Sequence, residues 1–371
     1  MSGRILTAFD AVFHRRALVA LAAVGAVLVA AASASAAPKA TVFAKAIDNP
    51  RSLALGPDGT LYVASAGHAG TSCLDKKKEN CLGFTSRVLA YSPAGAKRVV
   101  AKGLLSAGGG DGSFEAGADG VSIGPDGHVY TVTTSSTPKD IAAAPKKFQA
   151  AAGKLFDVTS GIPNPLAAID AFEWAHNSDG VKGDRNSNPY AVLALADRRI
   201  VADAGANAIL SVDAAGTVSL LAVIPKNGKN QPVPTSLALG PDGAVYVGEL
   251  ALGAGKNKAR VWRVPLDGTP PSLFATGFTT ITGLAFAPDG SLYVSELTLN
   301  PNKLSPTGAI VHRKADGTKT TYKKSIAYPA GVAVAPDGSL YVSNNSILPA
   351  HTPKKSPFRG HGGEILKITG F

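Results

Sequence analysis

An eleven-residue pattern of apolar and polar positions recurs along the chain, as in residues 53–63, LALGPDGTLYV. Two alternating segments flank a Pro-Asp-Gly step, which is typical of a β-hairpin. Proline presets φ at the second turn position, and glycine adopts a φ that other residues avoid. Clear copies begin at residues 53, 121, 237, 284 and 332, and a weaker copy begins at residue 193. The turn aspartates are Asp58, Asp126, Asp197, Asp242, Asp289 and Asp337.

The spacing of these aspartates predicts the architecture. They lie 68, 71, 45, 47 and 48 residues apart, and the last three spacings match a four-stranded propeller blade. Two further strand-like segments follow each hairpin, except in the sixth repeat, where the chain ends after one. Segment 40–46 resembles segment 272–278 and stands directly before the first repeat. We therefore predict an all-β, six-bladed β-propeller with four-stranded blades, whose N-terminal strand completes the last blade and closes the ring.

The two ends of the predicted ring differ in the length of their connections. If the first strand of each repeat lines the central channel, the Pro-Asp-Gly turns and other short turns lie on one side, the bottom face. Every long connection then lies on the opposite side, the top face. These connections are residues 65–86, 103–120, 134–153, 170–190, 225–234, 250–259, 298–308 and 346–362. Long loops on one side of a rigid scaffold commonly carry function, although they also simply tolerate insertion.

Two of the top-face connections predict short helices, around residues 140–152 and 166–175. The same face includes the mouth of the central channel, where the predicted first strands begin and the second strands end. Polar residues at these positions define the predicted ligand-binding set of Arg51, Asp119, Asn188, Asp203, Glu249, Glu296 and Asn344.

Four of these residues carry oxygens that suit Ca²⁺, namely Asp203, Glu249, Glu296 and Asn344. Convergence of carboxylates from several blades near the axis would raise their pKa values, which is a common route to acid–base chemistry. The alternative is that these side chains cap strand ends and bind loop amides. We predict no catalytic residue, since the sequence contains no G-x-S-x-G motif or phosphate-binding glycine loop.

The first 36 residues carry the features of an export signal. Arg15 and Arg16 precede an apolar segment at 17–32, and small residues follow up to Ala36. This order is typical of a secretory signal peptide. We predict cleavage after Ala36, or after Ala34, followed by a single propeller domain at 37–371 and secretion. A transmembrane anchor is the alternative, but the apolar segment is short for a span, and no later segment is apolar enough to cross a bilayer.

Export affects how the two cysteines, Cys73 and Cys81, are interpreted. In an oxidising compartment we predict a disulfide between them that pins a short surface loop and adds little global stability. A metal site is the alternative, and it would need further ligands from nearby residues.

The chain is basic, with a net charge of +11, which becomes +9 once the three arginines and one aspartate of residues 1–36 are removed. Most basic residues are lysines scattered in loops, which favours a solvated surface. Attraction to an anionic cell surface or polymer is the alternative. No basic segment is interleaved with stacking aromatic residues, so we expect no nucleic-acid binding. We also expect a monomer.

The segment from Asn49 to Gly59 (NPRSLALGPDG) resembles the opening of NHL-type and senescence-marker/gluconolactonase-type propellers. The chain is more closely similar to the ScyD/ScyE family, named for scytonemin gene clusters. That resemblance covers residues 39–371 and implies an exported six-bladed propeller, without a settled activity or catalytic residues. It rests on the Cys73–Cys81 loop and on segments 110–114, 186–190, 201–207, 234–237, 277–282 and 341–345. One departure is Gly117-Ala-Asp119, where the family pattern has a histidine before the aspartate, and this weakens a catalytic interpretation there.

Two function classes follow from these observations. The first is a secreted binding module that recruits a small molecule, glycan or protein on its top face. The second is a Ca²⁺-dependent hydrolase or lactonase of the gluconolactonase type, in which the ion polarises a carbonyl or activates water. Scaffold similarity does not separate them, because propellers host many functions. Small polar residues at the start of the first strands favour binding.

Overall fold

The computed structural model describes residues 37–354, 356 and 358–371. The predicted signal peptide lies outside the described residues. Strand β1 (Lys39–Ala44) comes first and belongs to the last blade. Blade one contains β2 (Pro50–Leu55), β3 (Leu61–Ser65), β4 (Ser72–Cys73), β5 (Cys81–Tyr91) and β6 (Lys97–Gly108). Blade two contains β7 (Ala118–Ile123), β8 (Val129–Thr133), β9 (Lys154–Asp157) and β10 (Asn164–Ala168).

The remaining blades are regular four-stranded antiparallel sheets. Blade three contains β11 (Pro189–Ala194), β12 (Arg198–Asp203), β13 (Ala208–Asp213) and β14 (Val218–Val223). Blade four contains β15 (Pro234–Leu239), β16 (Val245–Glu249), β17 (Ala259–Val264) and β18 (Ser272–Phe278). Blade five contains β19 (Ile281–Phe286), β20 (Leu292–Glu296), β21 (Ala309–Arg313) and β22 (Lys319–Tyr322). Blade six contains β23 (Val332–Val334), β24 (Leu340–Asn344), β25 (Glu364–Thr369) and β1.

The helices of the described residues all lie in top-face connections. They are α1 (Pro138–Ala143), α2 (Lys146–Gln149), α3 (Ile169–His176) and a 3₁₀ turn at Leu252–Ala254. The two predicted helical connections are therefore confirmed. Among the described residues no helix has the length and apolar character needed to span a membrane.

The six-bladed fold is confirmed, and so is the assignment of the innermost strand. The first strands β2, β7, β11, β15, β19 and β23 contact one another in sequence around the axis, and β23 returns to β2. Blade one departs from the prediction, because β4 adds a fifth strand. It pairs with the start of β5, with Cys73 opposite Cys81, and builds a hairpin that rises from the top face.

The N-terminal strand closes the ring as predicted. β1 pairs antiparallel with β25, with Lys39 opposite Thr369 and Thr41 opposite Lys367. The Phe43 ring packs edge-on against Tyr341 at 4.9 Å between centroids, and it lies 6.1 Å from Tyr91 of blade one. Such aromatic pairs add about 1 kcal/mol each beyond the area they bury. The closing strand thus contributes to both blade six and the seam between blades six and one.

The hydrophobic core is divided among the seams between blades, and each seam has its own cluster. In the seam between blades four and five, Val261 and Phe278 pack against Leu284 and Val294. All four side chains are buried, and complete burial of such side chains contributes about 1.5 to 3 kcal/mol each. Because the apolar strand faces are covered by the neighbouring blades, the ring needs no separate central core.

Candidate functional site

A belt of polar contacts joins the blades at the top of the channel. It includes Asn188, which the sequence analysis predicted at the channel mouth. Thr134 Oγ1 donates to Asn188 Oδ1 at 2.8 Å between blades two and three. Thr235 Oγ1 donates to the Ile281 carbonyl at 2.7 Å, and Thr282 Oγ1 donates to the Pro329 carbonyl at 2.8 Å. These side chains therefore fasten neighbouring blades together.

Arg51 and Asp119 form the charged part of this belt, between blades one and two. Arg51 Nε lies 3.3 Å from Asp119 Oδ1, and both side chains are buried. Arg51 also donates through Nη2 to the Glu115 carbonyl, and Gly117 N donates to Asp119 Oδ2 at 3.2 Å. Burial raises the pKa of Asp119, and the positive charge of Arg51 acts against this. The structure thus brings these two predicted residues together.

Glu115 is a buried acid that the sequence analysis did not single out. Its side chain is fully buried, and neither carboxyl oxygen has a hydrogen-bond partner among the described residues. Burial raises its pKa to about 8, although the nearby charge of Arg51 lowers it. Asn49 Oδ1 and Ser113 Oγ are also buried without partners in the described part of the chain. Such atoms are rare in folded proteins and call for a functional or structural explanation.

No sequence pattern distinguishes Glu115, because it lies in an irregular connection between β6 and β7. The nearest segment that the sequence analysis names is GDGSF at 110–114, directly before Glu115. Phe114 adopts a left-handed conformation there with φ of 60°, and its N–H donates to the Ile347 carbonyl of blade six at 2.8 Å. The connection that carries Glu115 therefore lies against the last blade.

Glu249 binds donors of its own blade. Arg260 Nη2 lies 2.6 Å from Glu249 Oε1, and Trp262 Nε1 donates to the same oxygen at 2.7 Å. Arg260 N donates to Glu249 Oε2 at 3.1 Å. Burial raises the pKa of this carboxyl, and the bonds from Arg260 and Trp262 act against the shift. Both oxygens are thus engaged by protein donors.

The other three predicted calcium ligands also bind local donors. Asp203 accepts from Ser187 Oγ at 2.6 Å and from Asn188 N at 2.6 Å, and burial raises its pKa to about 6. Glu296 accepts from Thr279 N at 2.6 Å, and burial raises its pKa to about 7. Asn344 Oδ1 accepts from Ala327 N at 2.8 Å.

These contacts match the alternative prediction that such side chains cap strand ends and bind loop amides. Among the described residues, no group of three or more His, Cys, Asp or Glu side chains is arranged to hold a metal ion. The carboxylate oxygens of Asp203 and Glu249 already accept hydrogen bonds from protein N–H and O–H groups. In this arrangement the two side chains therefore do not fit a Ca²⁺ site.

The channel itself encloses a small cavity of about 150 Å³. Tyr190 and the hydroxyls of Ser52, Ser122, Thr235 and Thr282 are among its lining groups. At the bottom face the Pro-Asp-Gly turns surround a wider and shallower depression of about 830 Å³. Neither space has the form of an enclosed site for a drug-sized molecule.

A recess larger than the channel cavity lies on the top face, between insertions in blades one and two, and we call it the insert cleft. One wall is the β4–β5 hairpin, and the other is formed by α1 and α2. Its volume is about 450 Å³, within the usual range for ligand pockets. Apolar lining residues are Leu74, Cys81, Leu82, Leu105, Ile141, Ala144, Phe148 and Ala152. Polar lining residues include Asp75, Asn80, Ser135, Ser136 and Asp140.

Both walls of the insert cleft are pinned. The predicted Cys73–Cys81 disulfide is confirmed and ties the two strands of the hairpin together. On the other wall, Thr137 caps α1 by accepting from Asp140 N at 3.2 Å, and Pro138 follows at the first turn. The Phe84 and Phe148 rings stack across the two insertions at 4.9 Å between centroids. The cleft is therefore preformed.

The chain matches no protein-family model, and no curated protein matches it in sequence. In structure it is similar to a gluconolactonase from Xanthomonas campestris, with 10% identity, a TM-score of 0.53 and 89% of each chain covered. It is also similar to the calcium-binding protein regucalcin from Agrobacterium tumefaciens, with 14% identity and a TM-score of 0.51. That match covers 88% of this chain and 92% of regucalcin.

A third similar structure is a protein of unknown function from Bacteroides thetaiotaomicron, with 11% identity and a TM-score of 0.54. The match covers 90% of this chain and 76% of that one. At these identities the likeness concerns the fold alone. The chain thus shares the six-bladed β-propeller fold with these structures. Membership of the ScyD/ScyE family stays a prediction.

Proposed function

We propose that this protein is an exported binding module that takes a small, predominantly apolar ligand in the insert cleft. The observation that carries the proposal is the meeting of two insertions, each in an otherwise regular repeat, around a preformed cleft of about 450 Å³. The disulfide of the hairpin supports an oxidising, extracellular location.

The chemistry of the cleft supports the ligand class. Leu105, Ala144, Phe148 and Ala152 form a buried apolar cluster that serves as the floor. The carboxylate of Asp140 accepts from Ser136 Oγ at 2.9 Å and from Thr137 Oγ1 at 2.7 Å, so this acid is engaged in structure. A ligand would therefore gain mainly from burial of its own apolar surface, at about 25 cal/mol per Å².

A lactonase-type hydrolase has weaker support. Its support is the fold of the structural neighbours. The residues predicted to hold its ion already accept hydrogen bonds from protein donors, and these residues are Asp203, Glu249, Glu296 and Asn344. The binding module requires only the cleft that the two insertions enclose.

A neutral fluorophore tests the proposal. We expect N-phenyl-1-naphthylamine to bind the mature protein with increased fluorescence, because its apolar rings fit the cleft. The Ile141→Trp variant fills the cleft from the α1 side, and we expect at least a tenfold weaker affinity. Ile162→Trp is the matched control, since Ile162 is 76% exposed in a bottom-face turn. Equal binding by both variants, with unchanged circular dichroism, would show that the cleft is not the binding site.

A further inference from the structure

The second half of the top face has an unusual distribution of charge. Five of its connections contain no aspartate or glutamate, namely residues 224–233, 250–258, 297–308, 323–331 and 345–363. Their described basic residues form a surface that we call the basic half-face. It consists of Lys226, Lys229, Lys256, Lys258, Lys303, Lys323, Lys324, Lys354 and Arg359.

None of these charges is neutralised within the described part of the chain. All nine side chains are exposed, and none takes part in a salt bridge there. At the top ends of blades four and five, Glu249 and Glu296 are buried. At the top of blade six, Glu364 is half-buried and accepts from Asn344 Nδ2 at 2.9 Å. The bottom face is different, since Arg263 pairs with Asp242 at 2.5 Å and Lys367 pairs with Asp337 at 3.3 Å.

Four of the five connections, residues 250–258, 297–308, 323–331 and 345–363, meet over one buried apolar cluster. Leu297, Tyr328, Ile347 and Leu348 make a shared buried cluster beneath them, and Leu250, Leu304 and Phe358 pack against it. Tyr328 Oη donates to the Leu304 carbonyl at 2.7 Å and joins two of the connections. Burial raises the pKa of Glu296, and the charges of Lys319, Lys323 and Lys256 act against this shift. The basic residues of these four connections are thus carried by segments that share one buried cluster.

We propose that the basic half-face binds an acidic polysaccharide, a glycan chain that carries sulfate or carboxylate groups. Clustered like charges raise the local concentration of anionic ligands and are compensated when such a ligand binds. Asparagine amides lie among the lysines, at Asn227, Asn230, Asn257, Asn300 and Asn302. An amide both donates and accepts, as sugar hydroxyls require. This proposal is independent of the ligand proposed for the insert cleft.

Two other polyanions fit this surface less well. Single-stranded nucleic acids bind through aromatic side chains that stack on bases, and within the described part of these connections no large aromatic residue is exposed. Anionic membranes are bound by surfaces that combine basic residues with exposed apolar ones. Leu252 is the only large hydrophobic residue exposed among the described residues of the basic half-face connections.

The experiment measures binding of dextran sulfate to the mature protein, and uncharged dextran serves as the control. We expect saturable binding of dextran sulfate that weakens at least tenfold between 50 and 200 mM salt, roughly as expected for a polyanion that contacts several cations. The variant Lys226→Gln, Lys256→Gln, Lys303→Gln, Lys323→Gln should bind at least tenfold more weakly. A matched variant removes four exposed lysines elsewhere, at Lys39, Lys97, Lys102 and Lys314, and should change affinity less than about twofold, since the local charge of the half-face is kept.

Each alternative outcome overturns the proposal. Equal loss in the two quadruple variants would mean that only total net charge matters. Absence of dextran sulfate binding would exclude the polysaccharide directly. Tighter binding to phosphatidylglycerol vesicles or to a single-stranded oligothymidine than to dextran sulfate would assign the surface to a membrane or a nucleic acid instead. Both variants are checked by thermal melting so that loss of folding is not mistaken for loss of binding.

Discussion

The Arg51 guanidinium lies 3.3 Å from the Asp119 carboxylate, across the seam between the inner strands of blades one and two. Arg51 also lies at the opposite seam, because its carbonyl accepts from Ser343 Oγ of blade six at 2.7 Å. One residue therefore fastens blade one to both of its neighbours. Arg51 and Asp119, two of the residues predicted to bind a ligand at the channel mouth, thus have a structural role that can be measured.

Replacement of Arg51 by Met should destabilise the fold by about 3 to 5 kcal/mol, because it leaves the Asp119 carboxylate buried without its partner. Chemical denaturation of the mature protein measures this difference. The double variant Arg51→Met, Asp119→Leu should recover most of the lost free energy of unfolding, since no charge is then buried. A single variant as stable as the wild type would mean that the ion pair contributes nothing to this seam.

Stability should also depend on Glu115, whose folded pKa of about 8 lies well above its ordinary value of 4.5. Between these values the unfolded carboxyl is ionised while the folded one keeps its proton, so unfolding releases a proton and stability falls as pH rises. Glu115→Gln removes this dependence. Relative to the variant, the wild type should lose about 4 kcal/mol between pH 4.5 and pH 8.

Thermal melts at pH 4.5 and pH 8 measure that difference. Glu79→Gln is the matched control, because Glu79 is exposed on the hairpin and the substitution removes the same charge. Asp203 and Glu296 keep their own raised pKa values in both variants, so the comparison isolates Glu115. Parallel pH profiles for wild type and Glu115→Gln would contradict the raised pKa.

Closure of the ring by β1 predicts a strong effect of Phe43. Phe43→Ala removes edge-on contacts with Tyr341 and Tyr91 and should cost about 2 kcal/mol, somewhat below the usual value for a fully buried phenylalanine. Deletion of residues 37–44 should lower the melting temperature further. Val42→Ala is the control, since Val42 is 44% exposed on the same strand. Equal melting of the truncated and intact proteins would disprove closure by β1.

The disulfide should matter more for the insert cleft than for the ring. The double variant Cys73→Ser, Cys81→Ser removes a bridge between residues that are eight positions apart in sequence. By loop-closure entropy, the free energy of unfolding should fall by at most about 2 to 3 kcal/mol. We expect a small change in melting temperature and at least a fivefold loss of N-phenyl-1-naphthylamine affinity. Wild-type protein treated with reductant should behave in the same way. Unchanged affinity would mean that the hairpin wall is rigid without its bridge.

The repeat pattern predicted the fold well because each blade is encoded locally. The Pro-Asp-Gly turns, the alternating strands and the missing fourth strand of the last repeat are all visible within short segments. The side of the ring that carries the long connections followed from the same pattern. Only β4 was not expected, because Ser72 and Cys73 form a two-residue strand whose pairing depends on the hairpin around the disulfide.

The site was harder to predict, since it depends on how distant segments pack. The sequence placed Arg51 and Asp119 at the channel mouth, and the structure pairs them. It gave no sign that Glu115 is buried without partners, or that the hairpin meets α1 and α2 to enclose a cleft. The donors around Glu249 come from Arg260 and Trp262 on the next strand, and strand position alone does not distinguish such local capping from convergence on the axis.

The pairing of β1 with β25 also sets the order in which the chain can mature. Thr41 Oγ1 donates to the Lys367 carbonyl, a contact between residues 326 positions apart in sequence. Contacts of such separation form late, because closing the intervening loop is entropically unfavourable. Blade six is therefore complete only once β1 and β25 have both been made and have met. Until they pair, the outer edge of β25 stays open, and an open strand edge is a site at which another chain can add.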